Sequence, residues 1–232
     1  MASATAKSVY LQGVRDGMPF LLVAIPFAAL FGVSAIEAGL TIGQAMGFSV
    51  LVIAGASQFA ALQMIVDHAG VALTLLAALA VNLRMAMYSA SLVPYLGDAP
   101  LWKRACVSYL LFDQTYVAGV ARFEAAPQMT VRDRMAFFVG VATPIAPVWV
   151  VATLLGALLG ARIPEAAALD FALPITFIAM VAPMLRTLAH VVAALVSVVV
   201  ALALIGLPSG TGLLIAAACA MAAGVIVEER TA

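Results

Sequence analysis

Charge is what this sequence lacks. Asp, Glu, Lys and Arg make up only 9% of its 232 residues, against about 25% in a soluble domain. The 11 basic and 11 acidic residues cancel. So few charged groups cannot cover a soluble fold, which excludes a soluble enzyme and a disordered segment. The basic residues are scattered, with no run longer than Lys103-Arg104, so the stripe that nucleic acid requires is missing. Cysteine is nearly absent. Cys106 and Cys219 allow at most one bridge, and both are expected to be buried free thiols acting as small hydrophobes. There is no CxxC pair or Cys/His cluster for zinc. The motifs GxSxG, HExxH, GxxxxGK[ST] and GxGxxG are also missing, so no cofactor and no enzyme activity are expected.

Apolar runs are what the sequence has. Residues of the AVILMFWYC set make up 66% of it, and mean hydropathy is +1.16. Runs of about 20 apolar residues read as membrane spans. Span one opens near Met18 and is uncharged until Glu37, too long for a signal-peptide core of about 7–15 residues. Span two runs from Ala38 to Val66, span three from Ala69 to Gly97, span four from Ala105 to Ala121, span five from Met135 to Ala161 and span six from Phe171 to Leu185. The uncharged stretch from Arg186 to Glu228 is too long for one span, and the Gly206–Gly212 segment, with Pro208, divides it. The expected fold is all-α: a polytopic helical membrane protein forming a single transport domain over 1–232, with about eight spans. Seven is the alternative, with spans six and seven as one broken helix. Spans two and three are candidates for broken helices.

Counting loop lysines and arginines sets orientation. With the N-terminus inside, Lys7, Arg15, Arg122, Arg132, Arg134, Arg186 and Arg230 are internal, and Lys103, Arg104 and Arg162 external. The stretch Val14-Arg15-Asp16-Gly17-Met18-Pro19-Phe20 is echoed by Val131-Arg132-Asp133-Arg134-Met135-Ala136-Phe137. A parallel repeat and a shared juxtamembrane composition both account for it.

Polar residues inside spans need partners, so they point to chemistry. In span two, Gly55 weakens the helix while Ser57, Gln58 and Gln63 supply donors and acceptors. An unwound helix that binds a solute and a packing seam are both open there. Gly39, Gly43 and Gly47 form a tandem GxxxG just upstream, which favours packing. In span three, Asn82-Leu83-Arg84 places an arginine mid-span, at a cost of about 2.5–3.5 kcal/mol on insertion scales. It reads either as a bidentate carboxylate ligand or as half of a structural ion pair. In span four, Asp113 lies mid-span. It is a candidate proton carrier, and the short connection between spans three and four brings it within reach of Arg84. In span five, Thr143-Pro144 with Pro147 is the best candidate for a hinge.

These elements resemble the AzlC-like family of branched-chain amino acid exporters. The resemblance is carried by Gly17-Met18-Pro19 and Ile25-Pro26-Phe27, and by Ala54-Gly55-Ala56-Ser57-Gln58-Phe59-Ala60-Ala61. It continues through Asn82-Leu83-Arg84, Asp113-Gln114-Thr115-Tyr116 and Asp170-Phe171-Ala172-Leu173-Pro174. The chain departs from it at Met85 and Gln114, where many relatives carry histidine or tyrosine and glutamate. The resemblance implies export of leucine, isoleucine, valine or similar amino acids across the bacterial cytoplasmic (inner) membrane, with a small AzlD-like membrane protein as partner. Gly55, Ser57, Gln58, Asn82 and Arg84 are then the expected substrate-binding residues, and Asp113 the residue for proton coupling by antiport. A channel-like or structural membrane subunit handling another small solute is the alternative.

Overall fold

The computed structural model describes residues 6–161, 185, 187–207 and 211–231, and every regular element among them is helical. The helices are α1 (Ala6–Gly17), continued by a 3-10 turn (Met18–Phe20) into α2 (Leu21–Glu37), then α3 (Ile42–Leu51), α4 (Gly55–Val66) and α5 (Val71–Leu96). They are followed by α6 (Leu101–Tyr109), α7 (Asp113–Ala125), α8 (Val131–Gly160), α9 (Leu188–Ala203) and α10 (Thr211–Thr231). Among the described residues, four segments are long and apolar enough to cross a membrane: Ala6–Glu37, Val71–Leu96, Val131–Gly160 and Thr211–Arg230. Three more apolar helices, α3, α4 and α9, are shorter. Apart from Leu185, expected span six lies outside the described residues, as do Arg162, Arg186 and Asp170 to Pro174.

Two compact units divide the chain: Met1–Phe59 with Leu79–Ile163, and Ala60–Ala78 with Pro164–Ala232. In the first, α1–α2 lies along α8 in parallel. Gly13 meets Gly140, Ala29 meets Gly156, and Val33 meets Gly160, a constant register over the whole seam. Glycine is required there. A Cβ on Gly156 would collide with the Ala29 carbonyl, and one on Gly17 would stand 2.6 Å from that of Val141. Lipid offers no hydrophobic drive for helix association, so close backbone approach supplies dispersion contact instead. This seam is built from Gly13/Gly17 and Gly156/Gly160, both GxxxG pairs. The tandem set expected to pack does not do so: Gly39 is a turn residue at φ +83°, and Cβ atoms on Gly43 or Gly47 would touch little or nothing. The echoing stretches start from the same end but lie out of register, since Gly13 and Gly17 face Phe137 to Pro144.

Helices α6 and α7 double back. Both ends of the pair lie where α5 ends. Leu101 and Gly97 line one cleft, and at the other end Phe123 stacks 5.5 Å from Tyr95. The turn between them reaches Asp113 to Arg84, eleven residues before Tyr95 and so about 16 Å deeper along α5. With nine residues, α6 is about 14 Å long and cannot cross a core of about 30 Å. Span four is therefore not a crossing helix but a hairpin that enters and leaves at one end, and Asp113 opens α7 rather than sitting mid-helix. Helices α3 and α4 also break, at Val52-Ile53-Ala54. Phe48 before the break and Phe59 after it pack on the same ring, Phe31, at 6.1 and 5.5 Å, so this pair folds back too. Span two is thus broken as expected, whereas span three is not: α5 is continuous over 26 residues.

The two hairpins enter from opposite ends of the parallel seam. The α3/α4 pair starts where α2 ends, and the α6/α7 pair starts where α8 begins. This places Lys103 and Arg104 at the same end as Arg122, Arg132 and Arg134, correcting their separation in the loop count. The cysteines are also corrected: Cys106 and Cys219 are free but exposed. Where the surrounding medium is as apolar as a core, a small hydrophobe gains nothing by hiding. In the second unit α9 packs on α10, with a Cβ on Gly224 standing 3.4 Å from Ala193.

Candidate functional site

Each hairpin tip is tied by the same device. The third residue of the outgoing helix carries a hydroxyl that bonds back to a tip carbonyl three residues earlier. Ser57 Oγ donates to the Ala54 carbonyl at 2.9 Å. Thr115 Oγ1 lies 2.8 Å from the Phe112 carbonyl and accepts from the Phe112 N–H at 3.0 Å. Helix ends leave carbonyls without partners, and in an apolar medium these need local donors. Gln58 adds a second tie, its Nε2 donating to the Val52 carbonyl at 2.8 Å. The tips are also tied to each other: Tyr109 Oη donates to the Val50 carbonyl at 2.6 Å. Trp149 and Phe27 explain Gly55, since a Cβ there would run into both rings.

Arg84 and Asp113 meet as expected, Nη2 to Oδ2 at 3.1 Å, with side chains 25% and 41% exposed. Asp113 is the first residue of α7, where the positive end of the helix dipole favours its charge. Tyr88 Oη donates to its other oxygen at 3.1 Å. The Tyr88 and Tyr116 rings stack with centroids 4.0 Å apart, and Tyr116 Oη shares a 3.0 Å hydrogen bond with Ser91. Sequence reasoning missed these three residues. The available signal was spacing: Arg84, Tyr88 and Ser91 follow the i, i+4, i+7 stripe of one helix face, and Asp113 and Tyr116 sit at i, i+3.

Three buried side-chain atoms in this region have no hydrogen-bond partner among the described residues: Arg84 Nε, Asn82 Oδ1 and Gln58 Oε1. One is a donor and two are acceptors, each costly to bury alone. The remaining expected residues are placed apart from the ion pair. Ser57 and Gln58 are 2% and 1% exposed and serve their own tip. Asn82 and Arg84 are two residues apart and face different sides of α5. Helix α8 continues through Pro144 and Pro147. Pro144 packs at Gly17, and Tyr10 Oη donates to Thr143 Oγ1 at 3.0 Å beside it. Among the described residues no group of His, Cys, Asp or Glu has the geometry of a metal site.

The family model described as AzlC protein matches residues 19–163. That is more than half of the chain and includes both hairpins, the ion pair and the α2/α8 part of the seam. The chain belongs to the AzlC family. It is also similar to the inner membrane protein YgaZ of Escherichia coli (strain K12), 27% identical over 180 residues that cover 75% of this chain and 72% of YgaZ. No solved structure matches. Family, relative and apolar helices together point to a multi-pass membrane transport protein rather than an enzyme.

Proposed function

We propose that this AzlC-family chain exports branched-chain or related amino acids across the bacterial cytoplasmic membrane, as the large subunit beside a small AzlD-like membrane protein. The observation that carries the reading is the Arg84–Asp113 pair at the tip of a hairpin that penetrates halfway. A zwitterionic amino acid carries the same two charges. Inserted between the partners, its carboxylate takes the guanidinium and its ammonium takes the aspartate, so no charge is left uncompensated. The unpartnered Arg84 Nε adds a second donor for bidentate carboxylate binding. Discontinuous helices at mid-depth are where transporters place such sites. Asp113 is also the proton carrier in this reading, since a protonated Asp113 no longer holds Arg84 and the site opens for exchange. Pro144 and Pro147 form the hinge in α8.

Orientation follows from charge. Lys7, Arg15, Lys103, Arg104, Arg122, Arg132 and Arg134 all lie on segments at the end where α1 and α8 begin, and no lysine or arginine stands between Arg15 and Arg84. The positive-inside rule then puts the N-terminus in the cytoplasm. In a variant without native cysteines, Thr41→Cys should react with an impermeant maleimide from outside the cell, and Lys103→Cys should not. The functional test is efflux of labelled leucine, valine and an unrelated amino acid from preloaded cells, with and without the small partner. Branched-chain efflux that needs the partner supports the reading, and no change in any of them overturns it. In proteoliposomes, pH-driven efflux that survives Asp113→Asn removes the proton role.

A further inference from the structure

We propose that the cleft between α5 and α6 is a binding site for an anionic phospholipid, with Arg104 holding the headgroup phosphate and the apolar walls holding an acyl chain. The cleft has a volume of about 220 Å³ and is walled by Leu92, Leu96, Leu101, Leu111 and Met135, with Arg104 on its lining. The make-up of the cleft points to its occupant: a guanidinium above apolar walls complements a lipid, an anionic phosphate above hydrocarbon. The setting is that of a headgroup region. The cleft opens beside the Gly97–Pro100 turn, where α6 begins Leu101-Trp102-Lys103-Arg104. Leu101 and Trp102 are 78% and 66% exposed, and Lys103 Nζ stands 5.4 Å over the Trp102 ring. Interfacial tryptophan beside basic residues marks the depth at which phosphates lie. The Arg104 guanidinium makes no ion pair among the described residues, so its charge is available. The cleft is distinct from the ion-pair site, and the proposal does not depend on amino acid export.

Trp102 is a built-in reporter, because the only other tryptophan, Trp149, is 6% exposed. The full chain in detergent micelles is titrated with phosphatidylglycerol or phosphatidylcholine carrying brominated acyl chains, and the quenching of Trp102 is followed. Half-quenching is expected at about fivefold less phosphatidylglycerol than phosphatidylcholine, the factor one interfacial cation contributes. Arg104→Gln should abolish the preference. Ala105→Phe, which fills the cleft and keeps the charge, should weaken quenching by both lipids. Equal quenching by the two lipids in the native chain overturns the proposal, as does a preference that survives Arg104→Gln. Relief of quenching by inorganic phosphate alone makes it a simple anion site and overturns it. Shielding of Trp102 from both lipids by an added membrane subunit makes it a protein interface and also overturns it.

Discussion

The α1–α2/α8 seam and the two hairpin tips lie in the same compact unit yet are built on opposite principles. The seam is regular and dense. Glycines let backbones touch in constant register, and a side chain added at Gly13, Gly32, Gly140 or Gly156 would collide with facing backbone. The tips are short, apolar turns held by a few bonds from flanking polar side chains: Ser57 to Ala54, Thr115 to Phe112, Gln58 to Val52 and Tyr109 to Val50. Apart from the Pro144–Pro147 stretch of α8, the seam therefore provides the frame, and the hairpins provide the part able to change state. A site of paired charges belongs with the second, because splitting the pair demands movement.

The largest effect is expected at the seam. Gly156→Leu drives a side chain into the Ala29 carbonyl, backbone that cannot swing aside. Overpacking of this kind costs about 3 kcal/mol or more, so little monodisperse protein should be recovered on size exclusion after extraction. Gly47→Leu, with open space around its Cβ, should be recovered normally. Equal loss of both would erase the distinction between frame and periphery.

Next is the ion pair. Arg84→Ala should leave membrane abundance near normal and cut branched-chain efflux about tenfold or more. Losing one partner of a desolvated charge pair costs roughly 2 kcal/mol or more, discounted here because Asp113 is partly exposed. If abundance falls in step with efflux, the pair is structural and belongs with the frame.

Smaller effects should separate the tips. Ser57→Ala and Thr115→Val each remove a hydroxyl tie worth about 1 kcal/mol. Each should raise hydrogen exchange only at its own tip, residues 52–58 or 110–116. Exchange that rises at both tips in either variant means they open as one body. The smallest effect is Tyr109→Phe, which removes a single bond between the hairpins worth about 0.6 kcal/mol. Thermal stability should barely change while the efflux rate does. An unchanged rate would mean that the tip-to-tip bond plays no part in the cycle.

Reading the sequence picked out the charged pair and the break in span two, but neither the residues around the pair nor the arrangement of the helices. Arg84 and Asp113 stood out because charge inside an apolar run is rare, and they do pair. Gly55, Ser57 and Gln58 stood out as a weak point in span two, and the break is there. The α6/α7 hairpin was not legible. Its turn, Leu110-Leu111-Phe112, has no glycine, proline or charge, so nothing punctuates it. The α3/α4 break, Val52-Ile53-Ala54, is equally apolar and was visible only through the polar residues that follow it. The seam glycines were present as two GxxxG pairs, but the tandem set at Gly39 to Gly47 matched the same pattern more strongly and packs nothing.

The sequence alone determined the class of the protein: too few charges for water, apolar runs of membrane length, one cation and one anion within them. Local composition dictates such properties, because each residue's transfer free energy adds along the chain whatever the fold. Direction is not additive. Twenty-five apolar residues read the same whether they cross a bilayer or turn halfway and return, and the choice between the two was made by contacts far apart in sequence. Tyr95 on Phe123, Arg84 on Asp113 and Phe31 between Phe48 and Phe59 are those contacts, and only the tertiary structure contains them.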